Sequence, residues 1–226
     1  MNNSEREKLC AVAGSLYQRG YAFGSTGNLS IRVGERVWIT PTGKSLRALV
    51  TDELAEVDLQ GVSQNENRPS KELPFHLGIY KQRQDAQAIV HLHSLHAVAL
   101  SCLESLNPAE PLPPLTPYYF MRVAPLAVIP YFRPGSPPLA SEVEAAATLH
   151  NSMLLRNHGL ITIGSTLDEA VDRAEELEQT ARLYFMLRNE QVRYLTAEEI
   201  ADLSQHSAET NQKPPCSSMK DATSSS

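Results

Sequence analysis

Residues 88–93 read Ala-Ile-Val-His-Leu-His, and the reading of this short stretch decides the fold. Residues two apart in a β-strand point to the same face. Val90 and Leu92 then enter a core, while His91 and His93 project side by side from the opposite face. Upstream, Asn28 to Val33 alternate with period two, and Val37-Trp38-Ile39-Thr40 follow a Gly-Glu-Arg turn, which predicts a β-hairpin. Ala55 to Leu59 is a weaker strand. Downstream, Ala127 to Tyr131 is a strand, and two short strands, Met153 to Leu155 and Leu160 to Ile163, flank Asn157-His158-Gly159.

Helical signals lie between these strands. Ser4-x-x-Glu7 is a capping box, followed by Leu9, Val12, Ala13, Leu16 and Tyr17 at helical spacing and by Gly20 as a stop. Ser70 is placed to cap a helix over about 71–83, with Pro74 in its first turn. Further helices are expected over 95–103, 139–149 and 166–188, the last opened by Thr166-x-x-Glu169, and a final one begins at Thr196-x-x-Glu199. Helices and strands do not alternate in strict βαβ order. An α/β chain with a mostly antiparallel sheet and helices on its faces follows.

Length and composition fit that reading. The chain has 226 residues, 42% hydrophobic and 20% charged, enough for one domain with a sizeable core. A net charge of −6 argues against nucleic acid, whose phosphates demand a basic face. No run approaches the roughly 18 apolar residues of a membrane span, and Met1 to Lys8 is polar, unlike a secretory signal. Three scattered cysteines (Cys10, Cys102, Cys216) do not form a disulfide framework, so a reducing, cytoplasmic setting is expected. Beyond Gln205 the composition turns to Ser, Thr, Lys and Pro; residues 1–206 are expected to be the catalytic domain and 207–226 a disordered tail.

Two imidazoles on one strand face suit a shared metal ion; the alternative is an exposed face carrying two polar residues. His158, in a turn between apolar runs, is a candidate third ligand, or else a capping or packing residue. Three imidazoles with one open or carboxylate position make the donor set of a catalytic zinc or similar divalent ion. Glu72, in Pro69-Ser70-Lys71-Glu72, sits at an expected helix N-terminus, which favours anions. Gly24-Ser25-Thr26-Gly27-Asn28 and Thr42-Gly43 are turns whose backbone N–H groups could meet a phosphate; each could equally be a plain turn.

Taken in order, Gly27-Asn28-Leu29-Ser30, Thr40-Pro41-Thr42-Gly43, Pro69-Ser70-Lys71-Glu72, His91-Leu92-His93-Ser94 and Asn157-His158-Gly159 resemble the motifs of the class II aldolase/adducin family over about residues 5–205. The resemblance implies an α/β/α sandwich around a largely antiparallel sheet, assembled as a homotetramer with the active site between subunits. It implies one divalent ion per subunit, typically Zn2+, on His91, His93 and His158, with Glu72 as catalytic carboxylate that also touches the metal. It implies phosphate contacts at Thr26, Gly27, Asn28, Thr42, Gly43, Ser70 and Lys71. Sugar-phosphate aldolases of the family commonly carry Ser-Ser where this chain has Ser70-Lys71, and the lysine would suit a second anionic group.

Within the family, Pro69 to Glu72, Leu112 to Arg122 and Ile129 to Gly135 look like the branch that decarboxylates 3-oxo-tetronate 4-phosphates. That implies a phosphorylated sugar-acid substrate losing CO2 to give dihydroxyacetone phosphate, with Tyr118 or Tyr119 in the proline-rich loop as candidate proton donor. The alternatives are retro-aldol cleavage of a ketose phosphate and a non-catalytic, adducin-like assembly domain. Aldolases of the family use a tyrosine near the C-terminus, and here no Phe, Tyr or Trp follows Tyr194.

Overall fold

The alternation at 28–40 produces the expected hairpin. In the computed structural model, which describes residues 3–211, β1 (Asn28–Val33) and β2 (Arg36–Ile39) pair antiparallel with Ile31 opposite Trp38. Five further strands complete the sheet: β3 (Ala55–Asp58), β4 (Ala88–Leu92), β5 (Leu126–Ile129), β6 (Ser152–Leu155) and β7 (Gly159–Gly164). Their order is β3-β2-β1-β4-β7-β6-β5. Every neighbouring pair is antiparallel except β5 and β6, which run parallel.

Seven α-helices accompany the sheet among the described residues: α1 (Asn3–Gln18), α2 (Leu73–Gln82), α3 (Leu95–Ser101), α4 (Pro117–Arg122), α5 (Pro137–Ala147), α6 (Leu167–Leu187) and α7 (Ala197–Asn211). One core joins Leu29, Ile31, Val90 and Leu92 to α1, α3, α4 and α6, through residues such as Leu16, Leu100, Tyr119 and Leu177. The other joins Val37, Ile89, Ile161 and Ile163 to α2 and α5 through Phe75, Ile79, Leu139 and Val143. This is the α/β/α sandwich the resemblance implies, and β4, buried throughout, is its central strand.

Several boundaries differ from the sequence reading. Helix α1 begins at Asn3, ahead of Ser4. Helix α2 begins at Leu73 with Glu72 at the cap position, so Ser70 is not its cap; the Ser70 hydroxyl instead accepts from the Glu72 N–H at 3.2 Å, in the turn before the helix. The proline-rich stretch ends in α4, because Pro117 suits a first helical turn and the Thr116 hydroxyl accepts from the Tyr119 N–H. Helix α7 runs to Asn211, so its last turn belongs to the stretch expected to be disordered, and 212–226 lie outside the described residues. None of the described helices is long and apolar enough to cross a membrane.

Candidate metal centre and active site

Strand β4 ends at Leu92, yet His93 still turns to the same side as His91, because the chain continues extended into Ser94 at the start of α3. The hairpin between β6 and β7 carries His158 to the same point. Its tight loop places Asn157 in the left-handed region at φ 54°, which asparagine tolerates better than most residues. The following Gly159 is required by space, since a Cβ there would lie 2.3 Å from the Leu92 carbonyl oxygen. The three rings stand nearly perpendicular to one another with centroids 4.7 to 4.9 Å apart. One ring nitrogen from each of His91, His93 and His158 lies within 4.8 Å of the others.

Glu72 closes the group. Its Oε2 lies 3.2 Å from His91 Nε2 and its Oε1 lies 3.4 Å from His158 Nε2. His91 Nδ1 meets the Leu160 carbonyl oxygen at 2.8 Å, which only an N–H can do, so Nε2 is the ring nitrogen turned into the group. That nitrogen faces a carboxylate oxygen and also lies 3.0 Å from His93 Nε2. A carboxylate and two imidazole nitrogens held this close need positive charge shared among them. Glu72 Oε1 is in addition buried without a hydrogen-bond partner. Three imidazoles, one carboxylate and a backbone carbonyl that fixes a ring tautomer fit a divalent cation.

The protonation states agree. Burial lowers the His93 pKa to about 3, helped by His91 and His158. Burial and His91 lower that of His158 to about 4. Both rings are therefore neutral and offer lone pairs near neutral pH. Burial alone would raise the Glu72 pKa, but His91, His158 and the Asn28 amide outweigh it and hold the carboxyl well below the usual carboxylate range.

Glu72, His93 and His158 open onto a cavity of about 880 Å³. Thr26, Gly27, Asn28, Thr42, Gly43, Ser70 and Lys71 all line the same cavity. Sheet pairing explains this. Asn28 sits opposite His91 in the β1–β4 register, so the turn before β1 arrives at the imidazoles. The bridge between Pro41 and Pro69, with Ser70 N–H donating to Thr40 O, ties the Thr42 loop to the Ser70–Lys71 loop. Gly27 has φ 78° and a Cβ there would lie 2.9 Å from the His91 carbonyl oxygen, so glycine alone lets this turn reach the site. Lys71 is exposed and no hydrogen bond or ion pair engages its ammonium among the described residues, although its charge is felt at His93 and His158.

The two tyrosines expected to donate a proton are not brought to this cavity within one chain. Helix α4 packs on α6 and α7 on the far face of the sheet. Tyr119 is only 4% exposed and points into that core, and burial raises its pKa. Tyr118 points outward beside the Arg122 guanidinium, 57% exposed. His96 bonds the carboxylate of Glu178, which also accepts the His96 and Ala97 N–H groups at the start of α3. His76, which the sequence reading did not single out, bonds Asn28 from a fully buried position. The signal available for it was the spacing Glu72, His76, Tyr80, four residues apart on one helix face.

The model of the class II aldolase and adducin N-terminal domain matches residues 7–185, which span every element of this site. The chain belongs to the class II aldolase and adducin family. A member of that family from Haemophilus influenzae, a 3-oxo-tetronate 4-phosphate decarboxylase, is 46% identical over 88% of this chain and 96% of its own length. The L-fuculose phosphate aldolase of Methanococcus maripaludis is 37% identical over 84% of this chain and 99% of its own. Among solved structures, YgbL from Klebsiella pneumoniae superposes with a TM-score of 0.86 at 44% identity, covering 89% of this chain and 98% of that one.

Proposed function

We propose that this chain is a metal-dependent carbon–carbon lyase that decarboxylates 3-oxo-tetronate 4-phosphate to dihydroxyacetone phosphate and CO2. The observation that carries the choice is the Lys71 ammonium, unengaged among the described residues, beside the phosphate-type loops and the three imidazoles. The cavity thus has places for two anionic groups, a phosphate along Thr26–Asn28, Thr42–Gly43 and Ser70, and a carboxylate near Lys71. The decarboxylase from Haemophilus influenzae, matched over nearly its whole length, supports the same choice.

In the reaction the C1–C2 bond breaks, its electron pair forms an enediolate across C2 and C3, and a proton added at C2 completes the product. A divalent cation, Zn2+ being our choice, would sit among His91, His93, His158 and Glu72 and supply Lewis acidity for the charge that develops on the keto oxygen. The chain's own groups do the rest. The loops hold the phosphate, Lys71 orients the carboxylate toward departure, and the ionised Glu72 carboxylate, with Oε1 free of hydrogen bonds, takes up a proton from solvent and passes it to C2. Tyr118, exposed on α4, is available to the cavity of a neighbouring copy, whereas Tyr119 is committed to its own core. This agrees with the homotetramer we propose, working in the cytoplasm.

Retro-aldol cleavage passes through the same enediolate with an aldehyde leaving in place of CO2, and the relative from Methanococcus maripaludis favours it as the second reading. Incubation of the zinc-loaded protein with 3-oxo-tetronate 4-phosphate and, separately, with L-fuculose 1-phosphate decides between them. We expect CO2 and dihydroxyacetone phosphate in equal amounts from the first and little aldehyde from the second. Aldehyde release that outpaces CO2 release would reverse the assignment.

A further inference from the structure

Behind the site lies a line of polar side chains, three of which, Ser30, His76 and Tyr80, the proposed chemistry does not use. Asn28 and Ser30 are two apart on β1 and share the face toward α2, while Leu29 and Ile31 take the other. Glu72, His76 and Tyr80 recur every four residues along α2 and its cap. The strand stripe and the helix stripe meet. Tyr80 OH lies 2.7 Å from Ser30 Oγ, Ser30 Oγ lies 2.8 Å from His76 Nδ1, His76 Nε2 lies 2.6 Å from Asn28 Oδ1, and Asn28 Nδ2 lies 2.9 Å from Glu72 Oε2. Exposure along the line is 4% at Asn28 and Glu72, 1% at Tyr80 and zero at Ser30 and His76.

The direction of every bond follows from the Glu72 end. An ionised carboxylate can only accept, so Asn28 must turn its NH2 toward Glu72 and its carbonyl oxygen toward His76. His76 must then carry its proton on Nε2 and leave Nδ1 bare. Ser30 donates to Nδ1 and in turn accepts from the Tyr80 hydroxyl. The rotated Asn28 amide would set an oxygen against the carboxylate. Five side chains thus admit one arrangement, and burial that lowers the His76 pKa to about 3 keeps its ring neutral as the arrangement requires.

We propose that His76 is a positioning residue that locks the Asn28 amide and thereby differentiates the two oxygens of Glu72. Oε2 is held by Asn28 while Oε1, which has no hydrogen-bond partner, is left to handle the proton. This rests on the role given to Glu72 above. His76 touches neither the cavity nor the three imidazole ligands, so its loss acts through Asn28.

The test uses the full-length, zinc-loaded protein with His76→Leu, which removes both ring nitrogens, and His76→Gln, which keeps an N–H donor near the position of Nε2. We expect His76→Leu to retain zinc and its KM while kcat falls by about 10–100-fold, the size of one hydrogen bond to a charged group. We expect His76→Gln to recover most of that loss. Nitrogen NMR of isotope-labelled histidines, with His76 assigned by its disappearance in His76→Gln, should show a neutral ring protonated on Nε2. Unchanged kcat in folded His76→Leu, no recovery in His76→Gln, a loss confined to KM, or a ring protonated on Nδ1 would each overturn the proposal. If His76→Leu does not fold, His76→Gln and the NMR signature still decide. The signature needs no substrate, so a wild-type protein inactive on 3-oxo-tetronate 4-phosphate would refute the assigned reaction while leaving the tautomer to be judged.

Discussion

Glu72 and Lys71 are neighbours in the chain with opposite burial, and the contrast separates their effects. Glu72 is enclosed, held ionised and bonded at one oxygen. Its amide analogue keeps the shape and one metal-facing oxygen but no proton-carrying carboxylate. We expect Glu72→Gln to keep its metal by elemental analysis and to lose about 100-fold or more in kcat, the usual scale of acid–base catalysis. Near-normal turnover in a metal-loaded variant would take Glu72 out of the mechanism. Lys71 is exposed, so water screens its attraction, and an exposed ion pair contributes only on the order of 1 kcal/mol. Lys71→Met should therefore raise KM for the keto-acid phosphate by about 5-fold, with little effect on zinc content. An unaltered KM would move the carboxylate elsewhere in the cavity.

At the scale of elements, the site depends on how closely the turn before β1 can approach β4. Gly27→Ala adds a methyl group that would lie 2.9 Å from the His91 carbonyl oxygen, at a φ of 78° that alanine rarely adopts. We expect a loss of about 1–3 kcal/mol in stability by denaturant titration, together with weakened metal binding because His91 is displaced. An alanine variant as stable as wild type would mean that the turn relaxes freely. Much of this architecture was legible in the sequence. His91 and His93 announced a shared face through strand spacing, and Asn28 to Thr40 announced a hairpin through alternation. The turn dipeptides Gly27-Asn28 and Thr42-Gly43 marked loops that do line the cavity. What was hidden depends on pairing between distant segments. That β1 lies beside β4, opposing Asn28 to His91, has no local signal, and neither does the meeting of His76 with Asn28 and Ser30. Tyr118 and Tyr119 were read as loop residues for a related reason. A proline-rich stretch reads as a loop, whereas Pro117 begins a helix that packs on α6 and turns one tyrosine inward and the other outward.

At the scale of the whole molecule, folding keeps the described imidazoles of His76, His93 and His158 neutral, and this makes stability depend on pH in a defined direction. Histidine in an unfolded chain titrates near 6.5, whereas His76 and His93 are held at about 3 and His158 at about 4. Between these values the unfolded chain binds protons that the folded chain refuses, so acid favours unfolding and stability rises with pH through this window. Glu72 acts with the same sign, since its pKa is lowered by folding, but only below its unfolded value of 4.5. From pH 6.5 to pH 4.5 these imidazoles therefore carry the effect without Glu72. For the metal-free protein we expect the urea midpoint to fall steadily from pH 7 to pH 5, and the dependence to be shallower in His76→Gln, which removes one of the refused protons. With zinc bound the fall should be steeper, because protons and the cation compete for His93 and His158. A metal-free midpoint that stays level over this interval would mean that the folded protein already accepts these protons, and neutral rings could no longer be assumed for the cation they are to hold.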